Sequence, residues 1–200
     1  VWCCDAFNIP VVFLADVPTY PKPLLITDAA INIDPDLECK ADIVRNAIDL
    51  AIVLGIVEPK VAILAAVETV TPKMRATLDA AALCKMADRG QIAGGVLDGP
   101  LAFDNAISIV AAKTKGILSA VAGRADILVV PDLESGNMLA KQLEYLAEAL
   151  LTGVVVGARV PIVLTSRADS RESRIASCGV ALVVARRLAQ PNAVAALASR

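Results

Sequence analysis

The strongest constraint on the fold is the alternation of short apolar runs with longer stretches of helical period. Apolar runs of strand length occupy 11–17, 61–67, 92–97, 126–130 and 160–165, and helical patterns occupy 36–54, 71–90, 103–113, 137–151 and 170–187. Helices of about 10–15 residues between strands are typical of parallel sheets, whose strands need crossover connections. The alternation therefore predicts an α/β fold with a mainly parallel sheet flanked by helices.

Composition narrows the classes of function. Hydrophobic residues make up 56% of the 200 residues but aromatic residues only 3%, which suits helices packed on a sheet covered on both faces. The chain has no histidine, so it cannot supply a Ser-His-Asp or Cys-His nucleophilic site or a His-ligated metal. A net charge of −2 argues against nucleic acid as a ligand.

Cysteine usage and hydropathy bear on the compartment. The five cysteines, at positions 3, 4, 39, 84 and 178, form no C-x-x-C pair, so we predict reduced core thiols, no metal site and a cytoplasmic location. The longest uncharged stretches, 149–158 and 175–185, are shorter than the ~18 residues that a membrane span requires. The first residues show no signal-peptide pattern. A start at Val1-Trp2 predicts that the chain is a portion of something longer.

Ligands of parallel α/β sheets gather at the carboxyl ends of the strands, so the polar junctions that follow apolar runs are candidate sites. The first junction contains Asp98, Gly99 and Pro100, placed between a predicted strand and a helix. Glycine lets the backbone turn sharply and proline fixes the exit, while the aspartate lies at the strand tip. The same three residues are also consistent with an ordinary turn that an aspartate caps.

The second junction, PDLESGN at 131–137, follows a predicted strand and precedes a helix. Asp132, Gly136 and Asn137 are its candidate ligand-binding residues. Backbone N–H groups and the asparagine amide at a helix N-terminus can bind an anion, because that end carries a partial positive charge. An ordinary N-cap explains the pattern equally well. No P-loop and no dinucleotide-binding glycine motif occurs in the sequence.

The third junction, TSRADSRESR at 165–174, follows a buried strand and concentrates charged and hydroxyl side chains. Arg167 comes directly after the strand and is the best candidate for a bidentate partner of a phosphate or carboxylate. Ser166 precedes it. Asp169 is either a site residue or the N-cap of the last helix, and the pattern does not decide between the two.

Taken together and in this order, these stretches resemble the phosphate acetyltransferase and phosphate butyryltransferase family. The resemblance covers most of residues 16–187 and is closest to the C-terminal portion of bifunctional enoyl-CoA hydratase/phosphate acetyltransferases. It rests on five segments: LLITDAAINI (24–33), KVAILAAVETVTPKM (60–74), GGVLDGPLAFDNA (94–106), ADILVVPDLESGNMLAKQL (125–143) and VPIVLTSRADS (160–170).

The resemblance implies an acyltransferase that moves an acetyl or butyryl group reversibly between coenzyme A and inorganic phosphate. It implies acyl-CoA, phosphate and acyl phosphate as the bound molecules, coenzyme A as a substrate, no cofactor and a homodimer. A carboxylate removes the thiol proton of CoA, the thiolate attacks the acyl phosphate, and an arginine stabilises the developing charge. Which acyl group is used stays open.

Residue roles follow by resemblance. Ser166 and Arg167 match the serine-arginine pair of the family's cleft, with Ser166 bonding the reacting group and Arg167 holding the phosphate or the acyl oxygen. The acetyl-specific branch has its presumed base six residues after that arginine, where this chain has Ser173, so Asp169 and Glu172 are the nearby substitutes. The segments at 98–100 and 132–137 are expected to line the cleft, with Gly136 and Asn137 as phosphate contacts.

The resemblance also implies a two-lobed architecture like that of isocitrate and isopropylmalate dehydrogenases, with one lobe incomplete. Residues 21–160 are then a complete α/β lobe, and 1–20 and 161–200 are the remnant of the second lobe. An alternative is a catalytically incomplete fragment that acts only as a CoA-binding or dimerisation module. A metal- and NAD-dependent decarboxylating dehydrogenase needs an aspartate cluster that the sequence lacks.

Overall fold

The computed structural model describes residues 9–189, so Cys3 and Cys4 and the outer parts of the predicted lobe remnant lie outside the described residues. Within these described residues, seven strands and six helices follow one another. The elements are β1 (Val11–Asp16), β2 (Leu24–Thr27), α1 (Leu37–Val53), β3 (Lys60–Leu64), α2 (Arg75–Asp88), β4 (Val96–Leu101), α3 (Phe103–Ile107), α4 (Ile109–Thr114), β5 (Ile127–Val129), α5 (Leu133–Leu146), β6 (Leu150–Val155), β7 (Ile162–Leu164) and α6 (Arg171–Leu188).

All seven described strands form one sheet in the order β4-β3-β5-β2-β1-β6-β7. The α/β class is confirmed, but the prediction of a mainly parallel sheet is wrong. Only β4, β3, β5 and β2 are parallel; β1 pairs antiparallel with β2 and β6, and β6 pairs antiparallel with β7. The links from β1 to β2 and from β6 to β7 contain too few residues for the crossover that parallel neighbours require, so these pairs are antiparallel.

Two layers of helices cover the sheet. One face packs on α1, α2 and α6 and the other on α3, α4 and α5, so alternate residues of each central strand enter opposite cores. Asp36 caps α1 by accepting a hydrogen bond from the Cys39 backbone N–H at 2.8 Å, and Gly55, at φ 97°, follows the helix end. The helix matches the predicted span 36–54.

Several boundaries differ from the predicted ones. The helix predicted over 137–151 runs instead from Leu133 to Leu146, and β6 follows it as a strand that the sequence analysis missed. Glu148, at φ 54°, turns the chain between them. The helix predicted over 103–113 is split in two at Ser108, and α2 begins at Arg75 behind Met74 rather than at a Thr71 cap.

The cysteines are only partly where the composition places them. Cys39 and Cys84 are partly buried, whereas Cys178 is exposed on α6, so the prediction of a core thiol is wrong there. Burial raises the pKa of the Cys84 thiol to about 12, and the charges of Asp98 and Asp88 add to the effect. Within residues 9–189, no helix has the length and apolar character that a membrane-crossing segment requires.

Candidate active site

Helix α5 starts just after β5, at the carboxyl end of the parallel strands. Asp132 is its N-cap: its Oδ1 accepts hydrogen bonds from the backbone N–H and the hydroxyl of Ser135, both at 2.8 Å. The capping alternative is therefore confirmed for Asp132. Gly136 and Asn137, which the sequence placed ahead of the helix, lie within its first turns.

The loop after β2, residues 28–32, is organised around a single carboxylate. Asp28 is only 3% exposed, and its oxygens accept five hydrogen bonds. Oδ1 accepts from the backbone N–H groups of Val11 (3.2 Å), Ala30 (3.0 Å) and Ile31 (3.3 Å). Oδ2 accepts from the backbone N–H of Asn32 (2.9 Å) and from its Nδ2 (2.5 Å). We call this segment the Asp28 loop, and the bonds fix its shape.

The Asp28 loop and the start of α5 are in close contact. A Cβ at Gly136 would lie 2.6 Å from Val130 Cγ2, 2.9 Å from the Asp28 carbonyl oxygen and 3.0 Å from Ala29 Cβ. Only glycine allows this approach without displacing the backbone. Beside it, Asn137 Nδ2 donates to the Ala29 carbonyl at 3.4 Å. Gly136 is thus buried in the contact that sets the position of Asn137.

The loop between β7 and α6 is held by its own side chains. Asp169 Oδ2 accepts a hydrogen bond from the Ser166 backbone N–H at 2.6 Å, and Ser166 Oγ accepts from the Ala168 N–H at 3.4 Å. Ser170, not Asp169, is the N-cap of α6, since its Oγ accepts from the Ser173 N–H at 3.0 Å. The N-cap alternative for Asp169 is wrong, which leaves its carboxylate available to the loop.

The remaining side chains of this junction differ in exposure. Arg167 is exposed, and among the described residues its guanidinium takes part in no hydrogen bond or ion pair. Ser173 is 5% exposed, and its hydroxyl bonds that of Ser170 at 3.2 Å. Glu172 is exposed and lies in the first turn of α6. Of the two substitutes for the missing base, Asp169 is therefore the one near Ser166.

A cavity of about 130 Å³ is lined by three of the predicted residues, whereas Arg167, Asp132 and Gly136 are not among its lining residues. Its wall includes Asn137 from α5 and Ser166 and Asp169 from the β7–α6 loop. Lys141 and Glu144 also line it, and the sequence analysis missed both. The signal was present, because positions four and seven residues after Asn137 lie on the same face of a helix.

Lys141 and Glu144 form an ion pair at the edge of this cavity. The Lys141 Nζ donates to Glu144 Oε2 at 2.8 Å, and the lysine lies over the ring of Tyr145. The hydrogen bond to Glu144 raises the pKa of Lys141, partial burial opposes the shift, and the charges of Glu144 and Asp169 favour it. The ammonium is thus held in its charged form.

Asp98, Gly99 and Pro100 lie elsewhere. They are inside β4 rather than in a turn after a strand, and β4 and β7 are opposite edges of the sheet. With strands about 4.8 Å apart, that separates them from the β7–α6 loop by roughly 30 Å. A Cβ at Gly99 would lie 2.8 Å from Ile63 Cβ, so the glycine serves close packing of β4 on β3.

The described part of the chain holds no group of three or more His, Cys, Asp or Glu side chains placed to bind a metal ion. The cavity between α5 and the β7–α6 loop instead offers a carboxylate, a hydroxyl, an amide and an ammonium. Such a set suits proton transfer and the binding of a small polar group.

Solved structures identify the class of protein. The branched-chain phosphotransacylase from Enterococcus faecalis V583 is similar over 88% of this chain and 62% of its own, with a TM-score of 0.80 and 38% identity. A phosphotransacetylase from Streptococcus pyogenes gives a TM-score of 0.74 at 27% identity, over 89% of this chain and 54% of its own. Over these lengths, the chain shares the mixed α/β fold of the two phosphotransacylases.

Sequence comparison identifies the family. The family model described as phosphate acetyl/butaryl transferase matches residues 8–182, and the chain belongs to this family. It is 66% identical over 185 residues to the phosphate acetyltransferase of Rhizobium meliloti, covering 92% of this chain. It is 48% identical over 174 residues to the phosphate butyryltransferase of Clostridium acetobutylicum, covering 87% of this chain. The chain spans 58% of the length of each of these two relatives.

Proposed function

We propose that the protein transfers an acetyl or butyryl group reversibly between coenzyme A and inorganic phosphate, through the cavity between α5 and the β7–α6 loop. The observation that carries the proposal is the convergence of Asn137, Ser166 and Asp169 on that cavity in a chain of this family. These residues come from two segments far apart in the sequence, α5 and the β7–α6 loop, as expected of a site and not of a local turn.

In this mechanism Asp169 accepts the thiol proton of CoA. The thiolate then attacks the acyl carbon of the acyl phosphate, the C–O bond to phosphate breaks, and phosphate leaves with the bonding pair. Ser166 donates a hydrogen bond to the reacting group, and the exposed guanidinium of Arg167 neutralises the charge that develops on phosphate or on the acyl oxygen. No step calls for a metal or a redox cofactor.

Phosphate is bound, in the same proposal, at the start of α5. Asn137 presents its amide there, and Gly136 and Asp132 hold the helix terminus that directs backbone N–H groups toward the anion. The binding roles of Asp98, Gly99 and Pro100 stay predictions, and their distance from the cavity means that they would contact a different part of the substrates.

The wider expectations belong to the proposal too. A two-lobed architecture like that of isocitrate and isopropylmalate dehydrogenases, its division at 21–160 with remnants at 1–20 and 161–200, and a homodimer rest on the family resemblance. A cytoplasmic location is proposed from the scattered cysteines of the sequence, which form no C-x-x-C pair. Acyl-CoA, phosphate and acyl phosphate are the proposed partners.

The test measures CoA release from acetyl-CoA and butyryl-CoA in the presence of phosphate. Arg167→Ala is expected to lower turnover by about 10² or more, because it removes a transition-state contact. Arg171→Ala, which removes an exposed arginine of α6, is the matched control and should keep wild-type turnover. Normal turnover in a well-folded Arg167→Ala variant would exclude the assigned role.

The competing function is a non-catalytic CoA-binding or dimerisation module. Its supporting observation is length, since the chain spans 58% of the two relatives above. Saturable CoA binding without acyl transfer, from a well-folded sample, would favour the module over the enzyme.

A further inference from the structure

We propose that the sheet side of the same cavity is the acyl-chain pocket, and that Phe13 and Ala140 set which acyl group is accepted. This inference rests on the proposed acyl transfer. It concerns the apolar floor of the cavity, which the mechanism above does not use. The floor consists of Phe13, Leu151, Gly153 and Leu164, and Ala140 lines the cavity from the helix side.

The floor is built by a row of residues that crosses three antiparallel strands. Phe13 of β1 is paired with Gly153 of β6, and Gly153 is paired with Leu164 of β7. A Cβ at Gly153 would lie 3.0 Å from Phe13 Cε1 and 2.5 Å from the Leu164 carbonyl oxygen. The Phe13 ring therefore extends over the glycine, and no side chain from Gly153 fills the space between the sheet and α5.

The opposite wall and the end of the floor are also apolar. Ala140 of α5 is 2% exposed and Leu151 of β6 is 7% exposed. Ala140 lies between Asn137 and Lys141 in the sequence, so the helix presents a small apolar side chain between two polar ones. A larger residue at this position would narrow the cavity from the helix side.

The cavity thus has apolar residues on the sheet side and polar side chains from α5 and the β7–α6 loop, Lys141 and Glu144 included. Ser166, Asp169 and Asn137 are the polar groups beside which the mechanism needs the acyl carbonyl. An acyl group bound with its carbonyl there places its alkyl chain on the Phe13–Gly153–Leu164 row. The whole cavity measures about 130 Å³, slightly less than the ~150 Å³ of an apolar cavity that accepts benzene, so it suits a short acyl group, carbonyl included.

Size selection follows from this geometry. When an apolar pocket can or cannot accommodate one additional methylene of a substrate, the ratio of kcat/KM between the longer and the shorter substrate changes by about 10-fold or more. Phe13→Leu shortens the side chain on the floor and should raise the butyryl-to-acetyl ratio of kcat/KM by about 10-fold. Ala140→Val narrows the pocket and should lower the same ratio by about 10-fold.

The experiment uses the full chain and measures kcat/KM for acetyl-CoA, butyryl-CoA and hexanoyl-CoA with phosphate, and dissociation constants by calorimetry. Val12→Ala is the matched control, because Val12 is the neighbour of Phe13 on β1 but packs in the core on the other face of the sheet. It should leave the ratio unchanged. Leu164→Ala enlarges the floor from the edge strand and replaces Phe13→Leu if that variant does not fold.

Each outcome decides a different statement. Opposite shifts of the ratio in Phe13→Leu and Ala140→Val support the acyl pocket. Normal turnover with an unchanged ratio in both variants overturns the pocket and leaves the acyl transfer intact. If acyl-CoAs bind without turnover, the ratio of their dissociation constants must shift in the same two directions. Wild-type chain that neither binds nor turns over any acyl-CoA overturns the pocket together with the proposed function.

Discussion

Replacing Asp28 by asparagine tests whether one carboxylate holds the loop that supports the candidate site. In the wild type, Oδ1 accepts three hydrogen bonds and Oδ2 accepts two, all within a buried loop. An asparagine has the same shape but only one accepting oxygen. If that oxygen takes the Oδ1 position, the three hydrogen bonds to Oδ1 are kept. The NH₂ group then faces the two donors of Asn32, which lose their acceptor.

The expected cost follows from this count. A buried donor without an acceptor costs about 1–3 kcal/mol, so two of them, one being able to relax by an amide rotation, cost about 2–4 kcal/mol. For a domain of this size, each 1 kcal/mol lowers Tm by about 2–4 °C, which predicts a fall of roughly 4–16 °C. The backbone N–H groups of Ala30, Ile31 and Asn32 should exchange with solvent faster than in the wild type.

Thermal unfolding followed by circular dichroism and hydrogen exchange measure the two effects. Asp36→Asn is the matched control, because Asp36 caps α1 on the surface, where asparagine caps about as well. If the Tm and the exchange rates of Asp28→Asn match those of Asp36→Asn, the carboxylate does not organise the loop and the reasoning fails.

Three further predictions concern other parts of the molecule. Lys40 and Asp79, with side chains 5% and 11% exposed, form a 2.7 Å ion pair between α1 and α2. Lys40→Met should lower the free energy of unfolding by about 3 kcal/mol, measured in urea, and Lys40→Met/Asp79→Leu should recover most of it. Burial raises the pKa of Tyr20 from 10.0 to about 12. The stabilisation that comes from this shift is therefore complete below pH 10 and is lost as the pH rises through 12. Tyr20→Phe should remove this part of the pH dependence of the urea midpoint of unfolding. Iodoacetamide at pH 8 should modify Cys178 well before Cys84 in peptide mass spectra; equal rates would contradict the raised pKa of about 12 at Cys84.

Local periodicity predicts most of the elements because it reflects which faces are buried. The helix at α1, the strands near 11–16, 61–64 and 127–129, and the α/β class are confirmed. The strand at β6 was missed because LLTGVV follows an amphipathic helix with no glycine or proline stop, and the left-handed residue that ends the helix region is Glu148.

The placement of Asp98, Gly99 and Pro100 shows a different difficulty. Glycine and proline together predict a turn, yet β4 is an edge strand, where a proline without an N–H is tolerated and a glycine permits close contact with Ile63. Whether a strand is central or at an edge depends on pairings between distant segments. The local sequence pattern does not indicate which distant strands pair, so it cannot predict that β4 is an edge strand.

The candidate site follows the same division. Ser166, Asp169 and Asn137 could be nominated from their positions after strands, and the structure brings them to one cavity. Phe13 could not be nominated, because its place in the cavity depends on the antiparallel pairing of β1 with β6. Long-range pairing, and not local chemistry, decides which apolar side chains face a site.

The pairing of β1 with β6 also bears on how the chain folds during its synthesis. β1 is among the first described segments to be made, whereas β6, which flanks it on one side, is made much later. The two strands pair from Val11 with Val155 to Asp16 with Leu150. Until β6 is synthesised, β1 has an open edge of unpaired backbone groups, which is a template for association with other chains. Contacts of such large sequence separation slow folding, so completion of the core waits until residues 150–155 have been made.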